Sequence, residues 1–318
     1  MKIRLIGKRN NLGIGTHFAN FADALKQVSH WGDCVEEFDC EDPARLEAEA
    51  LLSEPNDINI CFVSIPLQNH FRGTNIQWVV FESDRIPDIV QYALRPSDQI
   101  WVPSEWGRSV LLAHGFEADR CHVMPEGVDT LLYHPWYPVV PRSVTRFLLV
   151  GKFEQRKCVV ETMLAWGQAF GQDPGVELVI KTDHFVDQDL KQQQIQQILD
   201  DHELHTVKVI WGAVGENQLL DLYRSADVFV LPTRGEGWGL PLIEAAAMGL
   251  PIITTQYSGH LEFLRGRESS CVWVEHDMVP VACAEYQRFY PQAGDWGMWA
   301  QPRQASLVQA LQRARQDL

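Results

Sequence analysis

Short apolar runs of buried-strand length alternate with stretches of helical period along most of the chain. Lys2 to Ile6, Ile58 to Val63, Ile76 to Phe81, Asp98 to Val102 and Cys121 to Met124 read as strands in the first part. Arg146 to Val150, Val176 to Lys181, Val207 to Trp211, Asp227 to Leu231, Ile252 to Thr255 and Cys271 to Val274 do so in the second. Helical spacing occupies Thr16 to Val28, Val159 to Phe170, Gln188 to Leu199, Glu216 to Ser225 and Gln304 to Arg315, with an acidic helix over Pro43 to Leu52. Ser104 is placed to cap the helix that starts at Pro103-Ser-Glu-Trp106. Strands that are apolar on both faces and separated by helices predict parallel sheets covered on each side. Pro138 and Pro141 fall in Trp136 to Arg142, which has little periodicity, so a hinge is expected there. The pattern thus predicts an α/β protein of two facing parallel-sheet domains, 1–140 and 141–318, with a cleft between them. Glu275 to Gln301 is aromatic-rich and reads as irregular.

Pro232-Thr-Arg-Gly-Glu-Gly-Trp-Gly-Leu-Pro-Leu-Ile-Glu-Ala-Ala-Ala-Met-Gly-Leu-Pro251 stands between two of these strands. It reads as a strand exit, a glycine-rich turn and one short helix. Pro241 suits the first helical turn, where its missing N–H costs nothing, and Gly249 with Pro251 ends the helix. The N–H groups near Gly239 and Leu240 then face whatever binds, and a helix start in glycine backbone points first to a phosphate. Glu236 stands in the turn and Glu244 lies eight positions later inside the helix. A carboxylate beside a phosphate repels it, so these acids are better suited to neutral hydroxyls flanking the phosphates. A nucleotide diphosphate sugar offers hydroxyls on both sides. The competing reading is an ordinary strand-turn-helix with a solvated Glu236 and a surface Glu244.

Acid, helix start and second acid resemble the paired-glutamate motif of retaining GT-B glycosyltransferases, particularly glycosyltransferase family 4. The resemblance implies two Rossmann-like domains, an N-terminal one on the acceptor side and a C-terminal one that binds the nucleotide sugar. It further implies that Glu236 contacts the transferred sugar and Glu244 the nucleoside ribose. Gly151-Lys-Phe-Glu-Gln-Arg-Lys157 sits between a strand and a helix, where basic residues would neutralise a leaving diphosphate. On the resemblance, Lys157 is the diphosphate contact and Lys152 a second basic residue, with Arg156 as the adjacent alternative. The loop Gly212-Ala-Val-Gly215 resembles the one that lays its backbone against the base, which makes Gly212 and Val214 candidates there. Near the N-terminus, Gly13-Ile-Gly15 lacks the third glycine of a dinucleotide fingerprint, and the resemblance assigns Gly13 and Gly15 to a loop that closes over the donor. His17 lies near the acceptor pocket or is a capping or packing residue.

Many relatives carry a histidine after the strand that ends at Phe81, whereas this chain has Glu82-Ser-Asp84. Glu82 or Asp84 is expected to orient the acceptor hydroxyl, unless it pairs with Arg85. Pro125-Glu-Gly-Val-Asp129 and Trp296-Gly-Met-Trp-Ala-Gln-Pro302 also resemble family segments, while the C-terminal tail is shorter than in many relatives.

The chain has 318 residues and a formal net charge of −15, and each half is net negative. This argues against binding nucleic acid or anionic lipid through bulk electrostatics. Seven cysteines without a C-x-x-C pair read as reduced thiols. With no apolar run long enough to span a membrane and no signal-like start, a cytoplasmic location is expected. The full expectation is a metal-independent, retaining hexosyltransferase with no cofactor, using a UDP-type or GDP-type sugar and a glycan, small-molecule or protein acceptor. Another GT-B activity, an epimerase or a phosphorylase, or a silent nucleotide-sugar-binding module are the alternatives.

Overall fold

The computed structural model describes residues 1–318 except 11–12, 29, 63–70, 138–142, 185 and 283–293. It divides into two units, one of residues 1–127 with 294–297, the other of 128–282 with 298–318. The expected hinge at 136–142 falls largely outside the described residues.

The first unit carries a parallel six-stranded sheet. In chain order it runs β1 (Ile3–Gly7), α1 (Gly13–Lys26), β2 (Val35–Asp39), α2 (Pro43–Leu51), β3 (Ile58–Cys61), β4 (Thr74–Trp78), α3 (Asp88–Leu94), β5 (Gln99–Val102), α4 (Glu105–Ala113) and β6 (Cys121–Val123). The spatial order is β2-β1-β3-β4-β5-β6. β1 is buried along its whole length, as a strand covered on both faces must be. The capping residues act as their types predict. Asp42 accepts from the Arg45 amide at the start of α2, and Ser104 accepts from Gly107 N at 3.1 Å at the start of α4. Arg4 in β1 is fully buried and is held by Asp57 at 2.7 Å.

The second unit repeats the plan with β7 (Thr145–Val150), α5 (Val159–Phe170), β8 (Val176–Thr182), α6 (Gln188–Asp201), β9 (Val207–Trp211), α7 (Glu216–Arg224), β10 (Val228–Leu231), α8 (Leu240–Ala247), β11 (Ile252–Thr255), α9 (Leu261–Leu264) and β12 (Cys271–Val274). These strands lie in the order β12-β11-β10-β7-β8-β9, again all parallel. β10 and β11 are buried at every position. Trp166 on α5 is fully buried, stacks edge-on against Phe147 at 5.2 Å and donates to Thr206 Oγ1 at 2.9 Å, so the apolar body and the polar edge of the ring are both satisfied.

The segment expected to be irregular contains a two-stranded antiparallel sheet, β13 (His276–Pro280) on β14 (Met298–Pro302). The final helix α10 (Gln304–Gln316) buries Leu307 and Leu311 in the second core. It also bonds to the backbone of α5 through Gln304 and Gln312.

In each sheet the direction of winding reverses once, between β1 and β3 in the first and between β7 and β10 in the second. Loops leaving the carboxyl ends of such a strand pair diverge and open a crevice, the usual ligand position in an open α/β sheet.

Candidate active site

The loops after β7 and β10, the pair at the reversal of the second sheet, bring the charged residues of both motifs together. After β7 the chain makes a 3-10 turn over Gln155–Lys157, and Cys158 takes the left-handed conformation (φ 53) before α5 begins. A non-glycine residue in that region costs energy. Here it turns Arg156 and Lys157 inward, and both are buried. After β10, Thr233 and Arg234 lead into Glu236, which is also buried.

Lys157 Nζ donates to Glu236 Oε1 at 2.7 Å, and Arg156 Nη1 lies 3.0 Å from the same oxygen. Thr233 Oγ1 donates to it at 2.8 Å. Burial alone would raise the Glu236 pKa, but the Lys157 and Arg156 charges and the two hydrogen bonds pull it down to about 2. The network extends outward. Arg156 Nη2 is 3.3 Å from Glu154 Oε2, and Lys152 Nζ is 4.0 Å from Glu154 Oε1. Lys152, Glu154, Arg156, Glu236 and Lys157 therefore form a line of alternating charge with an excess of cation. The sequence offers Arg156 beside Lys157 as an alternative, and both contact the same Glu236 oxygen.

The backbone around Glu236 is fixed as tightly as its side chain. Glu236 N donates to Ser258 Oγ and Gly259 N donates to Glu236 O, each at 2.8 Å. A side chain on Gly259 would lie 1.9 Å from Gly237 O, so only glycine fits this approach. Ser258 itself has φ 77, a strained value at the point that grips the turn. Thr233, Ser258 and Gly259 were not among the expected site residues. The one signal in the sequence was Ser258-Gly-His260, which begins a turn shortly after a strand.

Gly239 adopts φ 97 immediately before α8, and a Cβ there would press on Leu242 and His260 and touch Glu236. Leu240 opens the helix and Pro241 follows, so the first-turn amides stand beside the Glu236 cluster. Glu244 is half-buried on the same helix and accepts from Tyr223 Oη at 2.7 Å. Close packing by protein atoms pushes its pKa up to about 7, against the hydrogen bonds from Tyr223 and Tyr133. The two acids are thus set apart, one held charged and the other poised near neutrality. Gly212 (φ 94) and Val214 follow the edge strand β9, on the same carboxyl side of the sheet but two strands from β7.

Gly13, Gly15 and Glu82 belong to the first unit. Both glycines lie in the first turn of α1 instead of a free loop. Gly15 is required by crowding, because a Cβ would meet Asn10 Oδ1 at 2.2 Å and Lys8 O at 2.8 Å. Glu82 is half-buried beyond the end of β4. Arg85 pairs with Asp295 at 3.3 Å. His17 is buried against Trp78, with ring centroids 4.3 Å apart, and its Nδ1 is 3.6 Å from Glu126 Oε2. Burial lowers its pKa to about 4. Among the described residues there is no cluster of His, Cys, Asp or Glu arranged to hold a metal ion, and no helix is long and apolar enough to cross a membrane.

Residues 144–286 match the family model described as glycosyl transferases group 1. A D-inositol 3-phosphate glycosyltransferase from Acidothermus cellulolyticus is 24% identical over 208 residues, 62% of this chain and 46% of that protein. The same-named protein from Paenarthrobacter aurescens is 28% identical over 157 residues, 47% of this chain and 38% of its own. The chain thus spans less than half the length of these curated relatives. Among solved structures, a sucrose-phosphate synthase from Thermosynechococcus elongatus superposes with TM-score 0.70 at 17% identity, covering 100% of this chain and 94% of that one. Anabaena HepE in complex with UDP and glucose gives 0.64 at 14% identity, covering 82% of each. Residues 144–286 therefore form a group 1 glycosyl transferase domain, and the two six-stranded units have the GT-B fold of the glycosyltransferases.

Proposed function

We propose that this protein is a retaining glycosyltransferase that moves a sugar from a nucleotide diphosphate sugar to an acceptor hydroxyl without a metal. The observation that carries this reading is the buried cluster of Lys157, Arg156 and Glu236 beside the start of α8, at the reversal of the second sheet and inside the segment that matches the family model.

In this reading Lys157, Lys152 and the first-turn amides at Gly239 and Leu240 take the diphosphate, with Arg156 adding charge. They stabilise it most as the bond to the sugar breaks and negative charge gathers on the leaving oxygen. Glu236 is ionised at neutral pH and so can only accept hydrogen bonds, which suits the hydroxyls of the transferred sugar. Glu244 takes the ribose, and Gly212 and Val214 line the base. The acceptor oxygen attacks the anomeric carbon from the face the diphosphate leaves, and the diphosphate takes up the acceptor proton. Glu82 is the residue we assign to orienting that acceptor. UDP and GDP sugars are the donor types to test, and the acceptor is a glycan, a small molecule or a protein. The neighbour solved with UDP and glucose supports a nucleotide of this kind.

The test is transfer from a panel of UDP and GDP sugars to supplied acceptors, followed by anomeric analysis of the product. Glu236→Gln and Lys157→Ala are expected to lower kcat by about 10²-fold to 10³-fold, as loss of one transition-state donor does. Isomerisation or loss of donor with no acceptor product would replace transfer by another chemistry. Nucleotide binding with turnover unchanged by both substitutions would leave only a binding module.

A further inference from the structure

Tyr223 is fully buried on α7, its ring stacks on Phe229 at 5.8 Å, and it meets the Tyr133 ring edge-on at 5.7 Å. A phenylalanine would fill the same space without the cost of burying a hydroxyl. The hydroxyl is instead spent on Glu244 Oε2 at 2.7 Å, with Pro241 O at 3.3 Å. The Tyr133 hydroxyl faces the same carboxyl group. Two phenols from separate parts of the second unit thus converge on one carboxylate, whose helix also carries the amides at the start of α8. Among the described residues, the ionisable groups that act on Glu244 are the two tyrosines, and Glu216 and Asp129 act in turn on Tyr133.

A carboxylate offers about four acceptor positions on its two oxygens. The Tyr223 phenol on Oε2, with the Tyr133 hydroxyl facing the same group, fixes the plane of the carboxylate, and the acceptor positions the phenols do not use can accept from outside. A vicinal diol presents two donors at matching separation.

We propose that Tyr223 and Tyr133 are positioning residues that lock Glu244 as the acceptor for the ribose diol, so that the site selects ribonucleoside over 2′-deoxyribonucleoside diphosphates. This rests on the donor-site reading given above and adds to it the source of sugar discrimination within the nucleotide. Hydrogen bonds from the phenols favour the ionised acid. Removing one raises the pH at which the acceptor form is lost.

The experiment is calorimetric titration of the full chain with UDP, GDP and their 2′-deoxy counterparts, on both sides of pH 7, for the wild type, Tyr223→Phe, Tyr133→Phe and Glu244→Gln. The wild type is expected to prefer the better-bound ribonucleotide by about tenfold or more, the effect of one hydrogen bond to a charged group. Tyr223→Phe should bind the 2′-deoxy form as the wild type does and lose most of the preference. Its affinity for the ribo form should fade at a higher pH than in the wild type. Should Tyr223→Phe fail to fold, Tyr133→Phe and Glu244→Gln carry the same comparison. Full preference and an unmoved pH midpoint in the folded variants would overturn the inference, as would equal wild-type binding of ribo and deoxy forms, and both leave the transfer reading standing. Failure of every one of these nucleotides to bind the wild type would remove the donor site and this inference with it.

Discussion

Glu236 and Glu244 are eight positions apart, yet their surroundings drive them in opposite directions. Glu236, held at about 2, lies below its unfolded value, so its contribution to stability is present above about pH 4.5 and fades as pH falls toward 2. Glu244, held up near 7, binds its proton more tightly when folded. Its contribution is full below about pH 4.5 and is lost as pH rises through 7. Glu244→Gln is therefore expected to leave the melting temperature little changed at pH 5 and to raise it at pH 8, by about 2 kcal/mol of stability. A melting series against pH checks this, and an equal effect at both ends of the series would refute it. Lys157→Ala acts on the other acid. Glu236 would stay buried with Arg156 alone, and a loss of about 3 kcal/mol or less is expected from denaturant titration at neutral pH. The identities of these residues could be read in the chain, but the sharing of one Glu236 oxygen by Lys157, Arg156 and Thr233 could not. It depends on the left-handed Cys158 and on a turn that arrives from 79 positions away.

At the scale of elements, the strands and most helices follow from apolar runs and spacing alone, because a parallel sheet covered on both faces leaves little freedom in its pattern. The exceptions are informative. β13 and β14 read as irregular because Asp277 and Pro280 spoil any strand pattern, and only pairing with Met298–Pro302 makes the first a strand. α1 starts at Gly13, earlier than its apolar spacing implies, since glycines weaken a helical pattern without preventing a first turn there. Glycines also divide by the reason each is needed. Gly259→Ala should displace the Glu236 turn, costing stability by more than about 2 kcal/mol and lowering any transfer activity, because its Cβ meets backbone at 1.9 Å. Gly212→Ala faces open space and pays only for its positive φ, about 1 to 2 kcal/mol. Parallel denaturant titrations distinguish the two. A Gly259→Ala protein as stable and active as the parent would remove the close approach from the argument.

Across the molecule, the apolar clusters among the described residues are separate, one in the second unit and three in the first. Trp166→Ala is expected to cost about 3 to 5 kcal/mol and to act on the second unit, so scanning calorimetry should show one transition lowered and the other in place. A single transition shifted as a whole would mean that the units unfold together. The two-domain α/β plan was legible from the alternation of strands and helices. The boundary was less so, because proline content marks 136–142 whereas packing divides the described chain after Gly127.

Residues 294–297 fold with the first unit although they follow nearly all of the second in the chain. Gly297 lies so close to Asp84 and Arg85 that a Cβ there would be 2.3 Å from Asp84 Oδ1. A ribosome making this protein therefore releases the N-terminal sheet long before the piece that completes its surface beside Asp84 exists. An excised N-terminal fragment would show the loop at Glu82 without the neighbour it has in the intact protein.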